Sequence, residues 1–196
     1  VVYFVCLRER PPTTPPPCTT TPYCRPVILR VPMDPATGPY AWHPGLPIDG
    51  LARRLDAALL KVPYAAGINH HMGSRMTAQR GPMAWLMGEL QRRHLFFVDS
   101  RTSAATVAAA EAQRIGLAHV SRDVFLDDVR TTEAITGQLQ QGIALARKQG
   151  SAVLIGHPYP QTLDVLERAL PQLKAQGVEL IRLSQMIAVR SDQAMP

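Results

Sequence analysis

Leu95-Phe96-Phe97-Val98-Asp99-Ser100-Arg101-Thr102 is the stretch that decides the fold. Four apolar residues in a row, two of them aromatic, make a short buried strand, and the polar run that follows ends it. Ser103 then offers a helix N-cap and Gly116 a helix stop. A strand that passes through a polar loop into a helix is half of a βα unit, and the same arrangement recurs on both sides. Upstream, Val27-Ile28-Leu29-Arg30-Val31 and Tyr64-Ala65-Ala66-Gly67-Ile68 read as strands. Leu51, Leu55 and Leu59 recur at helical spacing, and Pro82 opens a helix reaching Leu90. Downstream, Leu117-Ala118-His119-Val120, Ala152-Val153-Leu154-Ile155 and Val178-Glu179-Leu180-Ile181 are strands. Between them lie a helix with the stripe Ile135, Leu139, Ile143 and Ala146, stopped by Gly150, and a second helix with Leu163, Leu166, Leu170 and Leu173 on one face. Thr162 is the expected cap of that second helix, and Pro171 a kink in it. Strands that alternate with helices pair in parallel, because each return crossover needs a helix.

The polar residues follow the strands directly. Asn69-His70-His71-Met72-Gly73-Ser74, Asp99-Ser100-Arg101-Thr102, Ser121-Arg122-Asp123 and Gly156-His157-Pro158 each come where a strand ends. In parallel α/β folds the carboxyl ends of the strands share one edge, and that edge is where such folds place their sites. His, Asp, Arg and His delivered there suit metal-assisted hydrolysis. Imidazole and carboxylate are the usual zinc ligands outside cysteine sites, and a bound metal makes a nucleophile of water. His71, His157 and Asp99 are the candidate ligands of a divalent metal, zinc by ligand chemistry. Arg122 can hold a carboxylate or an oxyanion, and Asp123 can orient Arg122 or a histidine. Each residue also has a plain structural use, as a cap, turn or packed side chain.

Several classes are excluded. The chain has no Gly-x-Ser-x-Gly elbow, phosphate-loop lysine motif or dinucleotide glycine fingerprint. Ser74 has no partner motif that would make it a nucleophile. A net charge of +6 rests almost wholly on scattered arginine, since only Lys61, Lys148 and Lys174 are lysine. No basic cluster carries interleaved aromatics, so nucleic-acid binding is not expected. No apolar run reaches the roughly 18 residues of a membrane span. Cys6, Cys18 and Cys24 do not have zinc-site spacing. The opening run Val1 to Leu7 also reads as the end of a signal-peptide apolar region. Residues 1–26 carry Arg10-Pro11-Pro12-Thr13-Thr14-Pro15-Pro16-Pro17 and are expected to be irregular, because proline lacks the donor a sheet requires. The expected organisation is therefore an irregular segment 1–26, an α/β domain 27–190 and a tail 191–196.

Gly67-Ile68-Asn69-His70-His71-Met72-Gly73-Ser74 resembles the Gly-Val-Asn-Asn-His-Met-Gly-Ser signature of the divergent polysaccharide deacetylase family. Phe97 to Thr102, Arg122 to Asp127, and Ile155 to Pro158 with Thr162-Leu163 resemble three further motifs of that family, in order. Val31-Pro32-Met33-Asp34-Pro35 is similar to its His-Leu-Pro-Met-Glu-Pro segment. The resemblance covers residues 27 to about 187. It implies a distorted parallel β/α barrel of the polysaccharide deacetylase type, incomplete at its N-terminus. It also implies a periplasmic or other extracytoplasmic address, a glycan partner and metal-dependent removal of acetyl groups. On that reading His71, His157, Asp99, Arg122 and Asp123 are catalytic, and Asn69, Ser74 and Arg101 contact substrate.

The departures are specific. The family's early Asp-Asp pair is missing before residue 27, and the sole Asp-Asp is Asp127-Asp128. Arg30 stands where the family has histidine, and His70 where it has a second asparagine. These departures favour a truncated or frame-shifted product, and they keep open the alternative of a non-catalytic carbohydrate-binding or cell-envelope module. A third reading takes the proline-rich segment as a ligand for aromatic grooves.

Overall fold

A computed structural model of the chain describes residues 3–9 and 27–194. The strands are β1 (Tyr3–Glu9), β2 (Val27–Met33), β3 (Ala65–Met72), β4 (Phe96–Asp99), β5 (His119–Ser121), β6 (Val124–Phe125), β7 (Ser151–Gly156) and β8 (Val178–Ile181). The helices are α1 (Ile48–Lys61), α2 (Arg80–Arg92), α3 (Ala108–Arg114), α4 (Thr132–Gln149), α5 (Pro160–Ala169) and α6 (Leu183–Ala194). The fold is α/β, as expected. The chain divides into two compact units, Pro26–Ser121 and the remainder, each with its own four-stranded sheet.

In the first unit β2, β3, β4 and β5 lie side by side in that order, all parallel. Alternate residues of a strand face opposite sides. Val31, Met33, Ile68 and Phe97 therefore turn to one side, where they pack with Leu51 and Leu55 of α1, Met83, Leu86, Met87 and Leu90 of α2, and Ala108 and Ala112 of α3. Full burial of each large apolar side chain contributes roughly 1.5–3 kcal/mol. Gly67 is required at its position: a Cβ there would lie 2.3 Å from the Phe96 ring, which crosses it from the neighbouring strand.

In the second unit the order is β6–β7–β1–β8. β6 and β7 are parallel, but β1 runs antiparallel to both β7 and β8. Val5 and Leu7 of β1 join Leu154 and Val178 against the α4 stripe of Ile135, Leu139, Ile143 and Ala146. Thr131 caps α4 by accepting the Ala134 N–H at 3.2 Å, Arg147 and Lys148 complement the dipole in its last turn, and Gly150 closes it at φ +86°.

Four expectations change. Residues 3–9 form a strand, not irregular chain: the prolines begin at Pro11, so Tyr3 to Glu9 keep every N–H available for pairing. The rest of the expected irregular segment lies outside the described residues. One domain over 27–190 becomes two units, because each sheet has its own core, and α6 continues the chain as helix to Ala194. β3 runs on through Asn69, His70 and His71, whose positions pair with Arg30, Val31 and Pro32 of β2, so these polar residues are part of the sheet and not the loop after it. Thr162 lies inside α5 rather than capping it, since Pro160 occupies its first turn.

Candidate functional site

Each unit holds a buried polar cluster built on a histidine and a carboxylate. In the first, His70 and Asp99 are fully buried, with His70 Nε2 3.0 Å from Asp99 Oδ1. His70 Nδ1 donates to the Met72 carbonyl at 2.6 Å, so Nε2 is shared between the Asp99 carboxylate and the Ser100 N–H, 3.0 Å away. A proton on Nε2 makes a buried ion pair with Asp99; without it, Nε2 accepts from Ser100. Asp99 also accepts from the Arg101 N–H at 2.8 Å and the Thr106 hydroxyl at 3.0 Å. Burial acts to raise the Asp99 carboxyl. The His70 contact, the Arg101 amide and the Thr106 hydroxyl outweigh it and hold the group below the ordinary carboxylate range.

His71 lies elsewhere. It is exposed, and its Nδ1 accepts from an Arg30 terminal nitrogen at 3.0 Å. Strand alternation puts His70 and Asp99 on the core side of the sheet and His71 on the other, so His70 and not His71 meets Asp99. Asn69, on the same face as His71, is fully buried, and its Nδ2 donates to the Val98 carbonyl and the Ser100 hydroxyl at 2.9 and 2.7 Å. Ser74 lies in the turn after β3, and Arg101 takes a positive φ of 47° that aims its amide back at Asp99.

In the second unit the centre is Asp127, at the end of the β6 segment. Its Oδ1 accepts from His157 Nδ1 at 3.0 Å. Its Oδ2 accepts the His157 backbone N–H and, at 2.9 Å, the hydroxyl of the fully buried Thr162. A carboxylate that fixes Nδ1–H leaves the imidazole Nε2 as a base or a ligand. The ring sits between Phe125 and Tyr159, with centroids 5.7 and 5.6 Å away. Arg122 lies over Phe125 and Arg130 over Tyr159. Beside this cluster a cavity of about 300 Å³ opens between β6 and α4, lined by Arg122, Phe125, Asp128, Val129, Gln138 and Gln141. Its volume is at the low end for small-molecule sites. Asp123 accepts the Val153 N–H at 2.7 Å and pairs with Arg190, so it ties α6 to the sheet.

Among the described residues, no three His, Cys, Asp or Glu side chains gather around one point as a metal requires. His70 and Asp99 satisfy each other, and His71 Nδ1 is engaged by Arg30. The residues as arranged do not fit a preassembled metal centre.

Two features escaped the sequence reading. Asp127 was visible as the last residue of an Arg-Asp-Val-Phe-Leu-Asp run, two residues past a strand. His70, and not His71, is the partner of Asp99, and counting alternate positions from the apolar Ile68 points to it.

The geometry defines an α/β protein whose polar clusters gather where parallel strands end. The chain belongs to the divergent polysaccharide deacetylase family, whose pattern matches residues 23–187. It is 36% identical over 165 residues to the uncharacterized protein YibQ of Escherichia coli K12, covering 82% of this chain and 51% of that one. It is 35% identical over 176 residues to an uncharacterized protein of Haemophilus influenzae, covering 88% of this chain and 62% of that one. The chain thus spans about half to three-fifths of the length of these relatives. The crystal structure of the uncharacterized protein ATU2773 from Agrobacterium tumefaciens C58 has the same fold, with a TM-score of 0.78 at 22% identity, covering 82% of this chain and 68% of that one. No described helix is long and apolar enough to cross a membrane.

Proposed function

We propose that the chain is the hydrolytic portion of a glycan deacetylase, with His157 as general base and then general acid, and Asp127 as the residue that positions it. The observation that carries this is the 3.0 Å contact of His157 Nδ1 with a buried carboxylate, which leaves Nε2 for a water or a leaving group. His157 Nε2 takes a proton from water as it attacks the acetyl carbonyl, and returns that proton to the sugar oxygen or nitrogen as acetate leaves. The adjoining cavity, with Arg122 and aromatic Phe125 at its wall, gives the sugar a place and the developing oxyanion a cation. Family membership supports glycan as the substrate and an extracytoplasmic site of action. Zinc is included in the assay because imidazole and carboxylate are its usual ligands, although the described residues hold no preassembled centre for it.

The test is acetate release from an acetylated polysaccharide, with and without added zinc. Release should fall by at least about 100-fold in His157→Ala, as loss of a general acid–base group does. It should fall about 10- to 100-fold in Asp127→Asn, as loss of an orienting carboxylate does. Release that is absent under every metal, or unchanged in His157→Ala, would refute the proposal. Glycan binding without turnover would favour a non-catalytic module of the same fold.

A further inference from the structure

The His157 imidazole is fixed by one hydrogen bond and two neighbouring rings. Asp127 accepts from Nδ1 at 3.0 Å, a single contact about which the ring can still pivot. Phe125 and Tyr159 limit that pivot, with centroids 5.7 and 5.6 Å away and ring planes inclined by 38° and 43°. Such separations are those of packed aromatic pairs. The two rings are anchored differently. Phe125 belongs to β6 and pairs in register with Ile155 of β7, two residues before His157, so the sheet seats it. Tyr159 follows β7 as the residue just before α5, where no strand pairing holds it.

Arg130 supplies the missing anchor. Its guanidinium lies 4.2 Å from the Tyr159 centroid, closer than Arg122 lies to Phe125, at 5.2 Å. Arg130 is exposed and makes no ion pair among the described residues, although Asp128 stands two positions before it. The Tyr159 hydroxyl has no hydrogen-bond partner among the described residues, so the ring is the part of the side chain in use. The contact joins the segment between β6 and α4 to the segment between β7 and α5. Those are the two segments that carry Asp127 and His157.

We propose that Tyr159, seated by Arg130, is a positioning residue for His157: its ring limits the pivot of the imidazole and keeps Nε2 in the orientation that Asp127 sets. Misplacement of a reacting group by about 1 Å can cost about 100-fold in rate, so control of one ring torsion bears directly on turnover. The role rests on the hydrolytic reading of His157, yet half of its test needs no turnover.

The experiment uses the whole chain and two readouts: the carbon-bound ring protons of His157 by NMR, and kcat and KM for acetate release from an acetylated polysaccharide. The His157 resonances are identified by their loss in His157→Ala. Parent and variants are compared over a pH series, so that ring-current and protonation effects separate. Rings packed beside the imidazole shift its protons away from their values in urea. Tyr159→Ala should move them back towards those values, and kcat should fall at least about tenfold with KM within about twofold. Tyr159→Phe keeps the ring and should restore both the shifts and kcat. Arg130→Gln should lower kcat about two- to fivefold, the worth of an exposed cation–π contact. Parent-like shifts in Tyr159→Ala would overturn the role. So would a raised KM at constant kcat, which marks a substrate contact, or a Tyr159→Phe as defective as Tyr159→Ala, which marks a use of the hydroxyl. A parent that releases no acetate would end the hydrolytic reading, and the shifts would still decide whether Tyr159 holds the ring.

Discussion

Replacing Asp127 by alanine removes an acceptor used three times. Three donors lose their partner: the His157 backbone N–H, His157 Nδ1 and the Thr162 hydroxyl. The His157 ring is about a quarter exposed and can turn towards water, with 23% of its side chain accessible. The His157 amide and the hydroxyl of fully buried Thr162 cannot. Two orphaned donors at roughly 1–3 kcal/mol each put the cost of Asp127→Ala at about 3 kcal/mol. For a chain of this size that is about 6–12 °C in Tm. A double-mutant cycle isolates the Thr162 share. Thr162→Val alone should cost about 1 kcal/mol, since it deletes one hydrogen bond. In the Asp127→Ala background it should cost nothing or restore stability, because the hydroxyl it removes is already without a partner. Urea unfolding of the four chains should then give a coupling of about 1–2 kcal/mol. Strictly additive losses would refute the view that Asp127 holds α5 to the end of β6 through this hydroxyl.

Three further outcomes are expected. Asp99 is held below its ordinary value when folded, so its contribution is present above about pH 4 and is lost as pH falls through the folded value; the stability gap between parent and Asp99→Asn should shrink between pH 7 and pH 3, and a constant gap would contradict this. Burial pushes the Cys6 thiol up to about 12, with Arg190 opposing and Asp123 reinforcing; peptide-level mass spectrometry should find Cys6 alkylated at least about 100-fold more slowly in native chain than in urea at pH 8, because only thiolate reacts. Gly142→Ala places a Cβ 2.5 Å from Leu154 and should cost about 1–3 kcal/mol by overpacking; combined with Leu154→Ala the two losses should be less than additive in thermal unfolding.

The sequence made the repeating βα grammar legible where the elements are long or punctuated. The α4 stripe and its stop at Gly150 were plain, and β8 runs from Val178 to Ile181 as its apolar run indicates. β6 was not legible, because a two-residue strand has no period of its own and exists only through its register with Leu154 and Ile155. β1 was obscured by the prolines that follow it. In the site, the residue types at the strand ends were read from the sequence, but their pairing was not. Which of two adjacent histidines meets Asp99 depends on the face each occupies, and that is fixed only when β3 is known to continue past Ile68. Thr162 looked like a cap because threonine commonly is one, and its actual use, as a donor to a carboxylate from another element, is a contact across 35 positions of sequence.

β1 lies outside the family-matched segment, yet it is an inner strand, bonded on one side to β7 and on the other to β8. A chain shortened to the matched segment would open a slot one strand wide, with bare amides and carbonyls along both walls. Such a slot accepts strands from outside. The seven-residue Tyr3–Glu9 peptide, supplied separately, has the register to fill it. Without that peptide the same slot would take in an extended segment of another copy, so the boundary chosen for a fragment decides between a complemented monomer and an aggregate.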